Sequence, residues 1–303
     1  MLGSLFLHLL LLFGLSPLLA GIITRTKAVI AGRKGAPVLQ LYYDLARLFR
    51  KEMVLSSTTT WVFRAGPVLG IAVPVLASFL IPFGGIHAPF SFAGDLILFV
   101  YLFALSRFFT VLAALDTGSS FEGMGAAREA TFSCLAEPTI FVVFIVLARI
   151  SGSFSLDTML SALYSGIAHS QTGVPLILAA VCLFVVLLAE NCRIPFDDPN
   201  THLELTMIHE VMVLDHSGPD FALILYGAAM KLFVMAALLT SFILPATENP
   251  LFATGYFIAI MLALAVVVGL VESTMARLRL IRVPQLLVGT SLLSFFSLVL
   301  LLR

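Results

Sequence analysis

The feature that most limits what this chain can become is the recurrence of apolar runs about 20 residues long. Eight lie near 2–23, 62–83, 95–115, 126–149, 173–192, 220–244, 252–275 and 283–302. At about 1.5 Å of rise per helical residue, each can cross roughly 30 Å of hydrocarbon. Lipid cannot satisfy peptide groups, so a spanning segment must close its own hydrogen bonds, as a helix does. The breaks fall where turn-forming residues cluster: Pro82-Phe83-Gly84-Gly85, Gly118-Ser119-Ser120, Ser151-Gly152-Ser153, Pro195, Gly218-Pro219 and Pro245. Composition agrees: 60% of the 303 residues are hydrophobic and 11% charged, against roughly 25% charged in a soluble domain. The expected fold is an all-α integral membrane protein, with 1–303 as a single membrane domain of about eight transmembrane helices. No internal repeat of the kind found in many secondary transporters is visible.

The N-terminal run has no Lys or Arg before it, while Arg25 and Lys27 follow it. A secretory signal has the reverse order, so this run reads as a retained first helix. Net charge is zero, which gives a nucleic-acid partner no electrostatic support. Cys134, Cys182 and Cys192 are scattered without a CxxC pair. They read as small buried apolar residues, with no zinc, iron–sulfur or haem site on this chain. Any redox centre is expected on another subunit.

Basic residues are uneven. Arg25, Lys27, Arg33, Lys34, Arg47, Arg50, Lys51 and Arg64 fall within 24–64, and Arg277, Arg279 and Arg282 separate the last two runs. Arg193 opens the connection 193–219, whereas 84–94 and 245–251 have neither Lys nor Arg. The positive-inside rule makes 24–61 and 193–219 cytoplasmic segments and puts both termini on the opposite side. Within the first segment, 38–54 places Leu41, Leu45, Leu48 and Phe49 on one helical stripe, with Asp44, Arg47, Arg50 and Lys51 elsewhere. That pattern predicts an amphipathic helix, either a membrane-surface anchor or a docking surface for a soluble partner. The second segment is long for a connection, as functional ones are.

An ionisable residue at a helix centre costs about 2.5–3.5 kcal/mol on insertion scales. This chain nevertheless carries Glu129, Glu137, Glu190, Lys231 and Glu272 in or near its runs, with Arg107 and Arg128 as counter-charges. Glu190 and Glu272 are close enough to run ends to be plain interfacial residues, and Arg128 with Glu129 can form a structural ion pair. Glu137 before Pro138, and Lys231 after an uncharged run, are harder to read that way. Carboxylates tuned by burial and a Lys neighbour are the parts of a proton relay. The connection 193–219 adds Asp197, Asp198, Glu204, Glu210 and Asp215 with His202, His209 and His216. On a helix, a seven-residue spacing separates His residues by about 10.5 Å, too far to share one ion. These residues fit proton entry, or a solvated face, better than a metal site.

Glu190-Asn191-Cys192-Arg193-Ile194-Pro195-Phe196-Asp197, then Ser217-Gly218 with Phe221-Ala222-Leu223, resemble the signature of the NADH dehydrogenase subunit 1 family of respiratory complex I. Leu39-Gln40, Asp44 and Lys51-Glu52 resemble that family's first cytoplasmic loop. The family's Glu-rich continuation is here Asp198-Pro199-Asn200-Thr201-His202-Leu203-Glu204-Leu205. With Thr206-Met207-Ile208-His209-Glu210, Arg33-Lys34-Gly35, Gly123-Met124-Gly125, Arg128-Glu129 and Arg282-Val283-Pro284-Gln285-Leu286-Leu287, it looks like the membrane subunit of energy-converting nickel–iron hydrogenases and formate hydrogenlyase-type complexes.

The resemblance implies a non-catalytic, multi-pass subunit of the inner (cytoplasmic) membrane that anchors a hydrogenase module and couples electron transfer to proton or sodium translocation. Implied partners are the soluble hydrogenase large and small subunits, iron–sulfur subunits and antiporter-like membrane subunits. The nickel–iron site and iron–sulfur clusters would sit on those partners. Coupling candidates are Glu129, Glu137, Glu190, Asp197, Asp198, Glu204, Glu210, Lys231 and Glu272. Interface candidates are Arg25, Lys27, Arg33, Lys34, Asp44, Arg47, Arg193, His202 and His209. The alternatives are a quinone-binding subunit of a respiratory NADH dehydrogenase and a stand-alone ion transporter.

Overall fold

A computed structural model describes residues 2–164, 173–197, 207–244 and 249–302. Its helices are α1 Leu2–Ile30, α2 Gln40–Leu48, α3 Trp61–Ser78, α4 Asp95–Asp116, α5 Ser120–Ser151, α6 Leu156–Tyr164, α7 Gly173–Glu190, α8 Gly218–Thr240, α9 Pro250–Thr274 and α10 Arg282–Leu302. A single 3₁₀ turn, Glu210–Val213, precedes α8. All but α2 and α6 are long and apolar enough to cross a membrane, eight spans among the described residues. At 32 residues α5 is about 48 Å long, so it projects well beyond the hydrocarbon. It begins at Ser120, upstream of its apolar run, with Glu122 in its first turn.

Two groups of helices pack together. In one, α8 lies at the centre and touches α1, α3, α7 and α9; in the other, α5 touches α4, α7 and α10. Contacts α3–α4 and α7–α8 join them. Where α3 crosses α8, a Cβ at Gly227 would meet the backbone of Gly70, so the two backbones approach directly. That is how membrane helices gain dispersion energy when lipid supplies no hydrophobic drive between them. A fully buried aromatic stack of Phe83 on Phe257, with Phe233 edge-on, fills the opposite end of the α8 group.

The amphipathic helix expected over 38–54 forms only over α2, packing Leu45 on α1 and α8. Phe49 lies beyond its end and is exposed. The helix closes in tight turns, Arg50 N–H to Arg47 O and Lys51 N–H to Leu48 O. The chain is then tied at Val54, whose N–H donates to Ser217 Oγ at 3.1 Å and whose carbonyl accepts from that hydroxyl at 3.2 Å.

The basic ends of the helices are cross-linked by polar groups. Asp116 at the end of α4 accepts from the backbone N–H and hydroxyl of Thr60 at the start of α3, at 2.6 and 3.0 Å. On the other face, buried Asp95 accepts from Leu156 N–H at 2.7 Å and Ser155 at 2.9 Å, fixing the start of α6.

Candidate functional site

Four helices bring ionisable groups to one place inside the bundle. Arg107 comes from α4, Glu129 and Glu137 from α5, Glu190 from the last position of α7 and Lys231 from α8. The eight-residue step between the α5 acids returns to the same helical stripe. One terminal nitrogen of Arg107 donates to Glu137 at 2.8 Å and the other to both Glu190 oxygens at 2.6 Å. Its Nε lies 3.6 Å from Glu129. Lys231 donates to Glu190 at 2.9 Å and stands 5.9 Å from the centre of the Phe103 ring. A planar guanidinium with five donors can serve three carboxylates at once. Glu190 is almost fully buried, while 35% of the Glu137 side chain is exposed. Three carboxylates face two cations, so one proton makes the cluster neutral.

A cavity of about 290 Å³ leads from this cluster toward the basic face. Pro67 of α3 lines it, as do Cys192, Asp197, His209, Glu210 and His216. A second void of about 20 Å³ lies between Glu129, Glu190 and Asp197, room for one water. Cys192, in a left-handed conformation at φ 50°, lines both. Burial, then the nearby Glu129 and Asp197 charges, push its thiol well above the usual range. Burial alone pushes the imidazole of His216 down to about 4.

Beyond Glu190 the chain is clamped to the α9–α10 connection. Asp197 pairs with Arg277 at 2.7 Å and accepts from the N–H groups of Ile208 (2.9 Å) and His209 (3.2 Å). Arg193 lies 3.4 Å from Glu272, which pairs with Lys27 of α1 at 2.9 Å, and Leu278 N–H donates to Pro195 O at 2.9 Å. Glu190 and Glu272 are thus both buried and ion-paired. Glu272 belongs to this clamp, not to the Arg107 cluster. Arg128 turns to the Met207 carbonyl at 2.8 Å, and Glu129 faces Arg107.

The interface candidates among the described residues lie at the basic ends. Arg33 and Lys34 are exposed, Arg25 donates to the Lys34 carbonyl, and Asp44 pairs with Arg47 at 2.7 Å. Asp198, His202 and Glu204 lie outside the described residues. Among the described residues no three His, Cys, Asp or Glu side chains converge as a metal site would require. Sequence reasoning named Arg107 only as a counter-charge and passed over Glu122 and Asp220. Both sit in the first turn of a helix, where acids are ordinary partners of the helix dipole. Their full burial had no sequence signal.

Fold and site together define the class: a polytopic α-helical membrane protein with an ionisable cluster buried between its helices. The chain belongs to the NADH dehydrogenase family, which it matches over residues 3–302. Formate hydrogenlyase subunit 4 of Escherichia coli (strain K12) is 33% identical over 300 residues, covering 95% of this chain and 96% of its own. Hydrogenase-4 component C of the same organism is 35% identical over 235 residues, 78% of this chain and 73% of its own. NADH-ubiquinone oxidoreductase chain 1 of Arabidopsis thaliana is 28% identical across 75% of this chain and 71% of its own. The fold matches a chain in the structure of the membrane-bound sulfane sulfur reductase, an archaeal respiratory membrane complex. The TM-score is 0.82 with 22% identity, over 98% of this chain and 99% of that one.

Proposed function

We propose that this chain is the membrane-anchoring and coupling subunit of a membrane-bound nickel–iron hydrogenase complex, linking electron transfer in a soluble module to proton or sodium translocation. The observation that carries this is the Arg107 cluster at the inner end of a cavity, in a chain similar to formate hydrogenlyase subunit 4 along nearly its whole length. Nickel, iron and iron–sulfur chemistry would reside on soluble large, small and iron–sulfur subunits, with antiporter-like subunits alongside in the membrane. The basic face would be cytoplasmic, in the inner membrane, with both termini on the other side.

Arg25, Lys27, Arg33, Lys34, Asp44, Arg47, Arg193, His202 and His209 would form the surface toward the soluble module. A shift there would reach Glu190 through the Asp197–Arg277 and Arg193–Glu272 clamps, since Glu190 ends the helix that leads into the clamped loop. Displacing Glu190 changes its pairing with Arg107 and Lys231, and hence the charge that Glu129 and Glu137 must balance. Asp197, Asp198, Glu204 and Glu210 would supply protons from the cytoplasmic side.

The test is Glu137→Gln in the intact complex. Hydrogen-linked ion translocation is expected to fail while assembly persists; translocation at the wild-type rate would sink the assignment. The cavity also suits a quinone headgroup, and the similarity to NADH-ubiquinone oxidoreductase chain 1 favours that second reading. Quinone-dependent NADH oxidation by the purified complex would select it.

A further inference from the structure

Beyond the Arg107 cluster and the Asp197 and Glu272 clamps, three further titratable side chains among the described residues are more than nine-tenths buried at the basic ends of the helices: Glu122 (0% exposed), Asp220 (6%) and His216 (8%). Glu122 is in the first turn of α5, Asp220 in the first turn of α8, and His216 two residues before α8. One Glu122 oxygen accepts the Asp215 N–H at 3.2 Å. The Thr117 hydroxyl also acts on this carboxyl, while Asp220 Oδ2 and His216 Nδ1 have no hydrogen-bond partner among the described residues. Buried polar atoms are rarely left so, and water or a mobile proton is the ordinary completion. The His216 ring is fixed by stacking on Phe63, centroids 3.8 Å apart and planes 12° apart. His216 also lines the cavity that ends at Arg107, Glu129, Glu190 and Lys231.

We propose that Glu122, Asp220 and His216 form a separate proton inlet, passing protons from the basic face into the cavity beside the Arg107 cluster. The outer end is exposed Arg64 and Asp215: Arg64 acts electrostatically on Asp220, and Asp215 is held by Glu122. The backbone of Lys51 and Glu52 also lies at this end, against Gly218. Buried and neutral, His216 keeps one N–H and one lone pair, so it can accept a proton at one nitrogen and release one from the other. The cavity has room for several waters between His216 and the cluster, and Asn191 Oδ1, also buried without a partner among the described residues, lies along it. The proton leaves solvent for a carboxyl, crosses His216, and travels by water to Glu190 and Glu129. This route enters the cavity at His216 and shares its interior with Asp197 and Glu210, which line the same space.

The inlet rests on the coupling function proposed above, so its test carries Glu137→Gln as an internal control. Asp220→Asn, Asp220→Glu and His216→Ala are assayed in the whole complex in inverted membrane vesicles, reading proton uptake per electron transferred. At alkaline pH, where protons are scarce, Asp220→Asn and His216→Ala are expected to lower that ratio about tenfold or more. Asp220→Glu keeps it, and added imidazole restores it in His216→Ala; a purely structural role would not respond to imidazole. Wild-type ratios in Asp220→Asn and His216→Ala, with Glu137→Gln defective, overturn the inlet alone. Wild-type ratios in all of them overturn the coupling function as well. Should a variant not assemble, isotope-edited infrared spectroscopy of histidine in the wild-type complex decides: an imidazole unchanged during turnover overturns the proposal.

Discussion

Glu190→Gln preserves the side-chain shape and removes one charge from the middle of the cluster. At 2.9 Å its attraction to Lys231 is about 6 kcal/mol at an effective dielectric of 20. The pair with Arg107 at 2.6 Å is of similar size. Much of this is offset by the cost of taking the charges out of water. The loss on removing one partner of a buried pair is about 3–5 kcal/mol, because the other charge is left buried and unbalanced. In Glu190→Gln, Arg107 still has Glu137 and Glu129, so Lys231 is the stranded group. Adding Lys231→Met removes it, and the double variant is expected to be about 1–3 kcal/mol more stable than the two single losses summed. Reversible unfolding of the full chain in mixed detergent–dodecyl sulfate micelles, followed by circular dichroism, measures all four forms. A Glu190→Gln chain as stable as wild type, or single losses that simply add, would refute the ion-pair reasoning.

Glu272→Gln leaves Lys27 and Arg193 without their shared carboxylate and should destabilise by about 3–5 kcal/mol; faster proteolysis at 193–197 than in wild type is the accompanying sign. Gly227→Val drives a side chain into the backbone of α3 and should cost more than the about 1–3 kcal/mol usual for overpacking, since a backbone cannot rotate away; the same micelle unfolding measures it. For His216 the folded value of about 4 lies below the usual 6.5. Its contribution is therefore present above about pH 6.5 and is lost as pH falls toward 4, about 3 kcal/mol in all. His216→Phe should flatten that part of the stability–pH curve, and an unchanged slope would mean the ring is not held neutral by burial.

Spans could be read from the chain because each depends only on its own residues: about 20 apolar positions, turn residues at the ends, and basic residues in particular connections. The acids worth examining were readable for the same reason, since a charge inside an apolar run is costly whatever its neighbours. Their pairing was not. Arg107 meets Glu137 and Glu190 across 30 and 83 positions of sequence, and Arg193 meets Glu272 across 79. Which charges meet depends on which helices are neighbours and which way each is turned. Both are decided by packing such as Gly227 against Gly70, not by hydropathy. Burial of Glu122, Asp220 and His216 was hidden for the same reason: an acid in a first helical turn looks identical in sequence whether water or another helix covers it. Sequence alone thus determined that this protein spans the membrane and keeps charges within it. Only the tertiary structure decided that Glu129, Glu137, Glu190 and Lys231 form one network through Arg107, that Glu272 belongs to another, and that a cavity joins the first to the basic face.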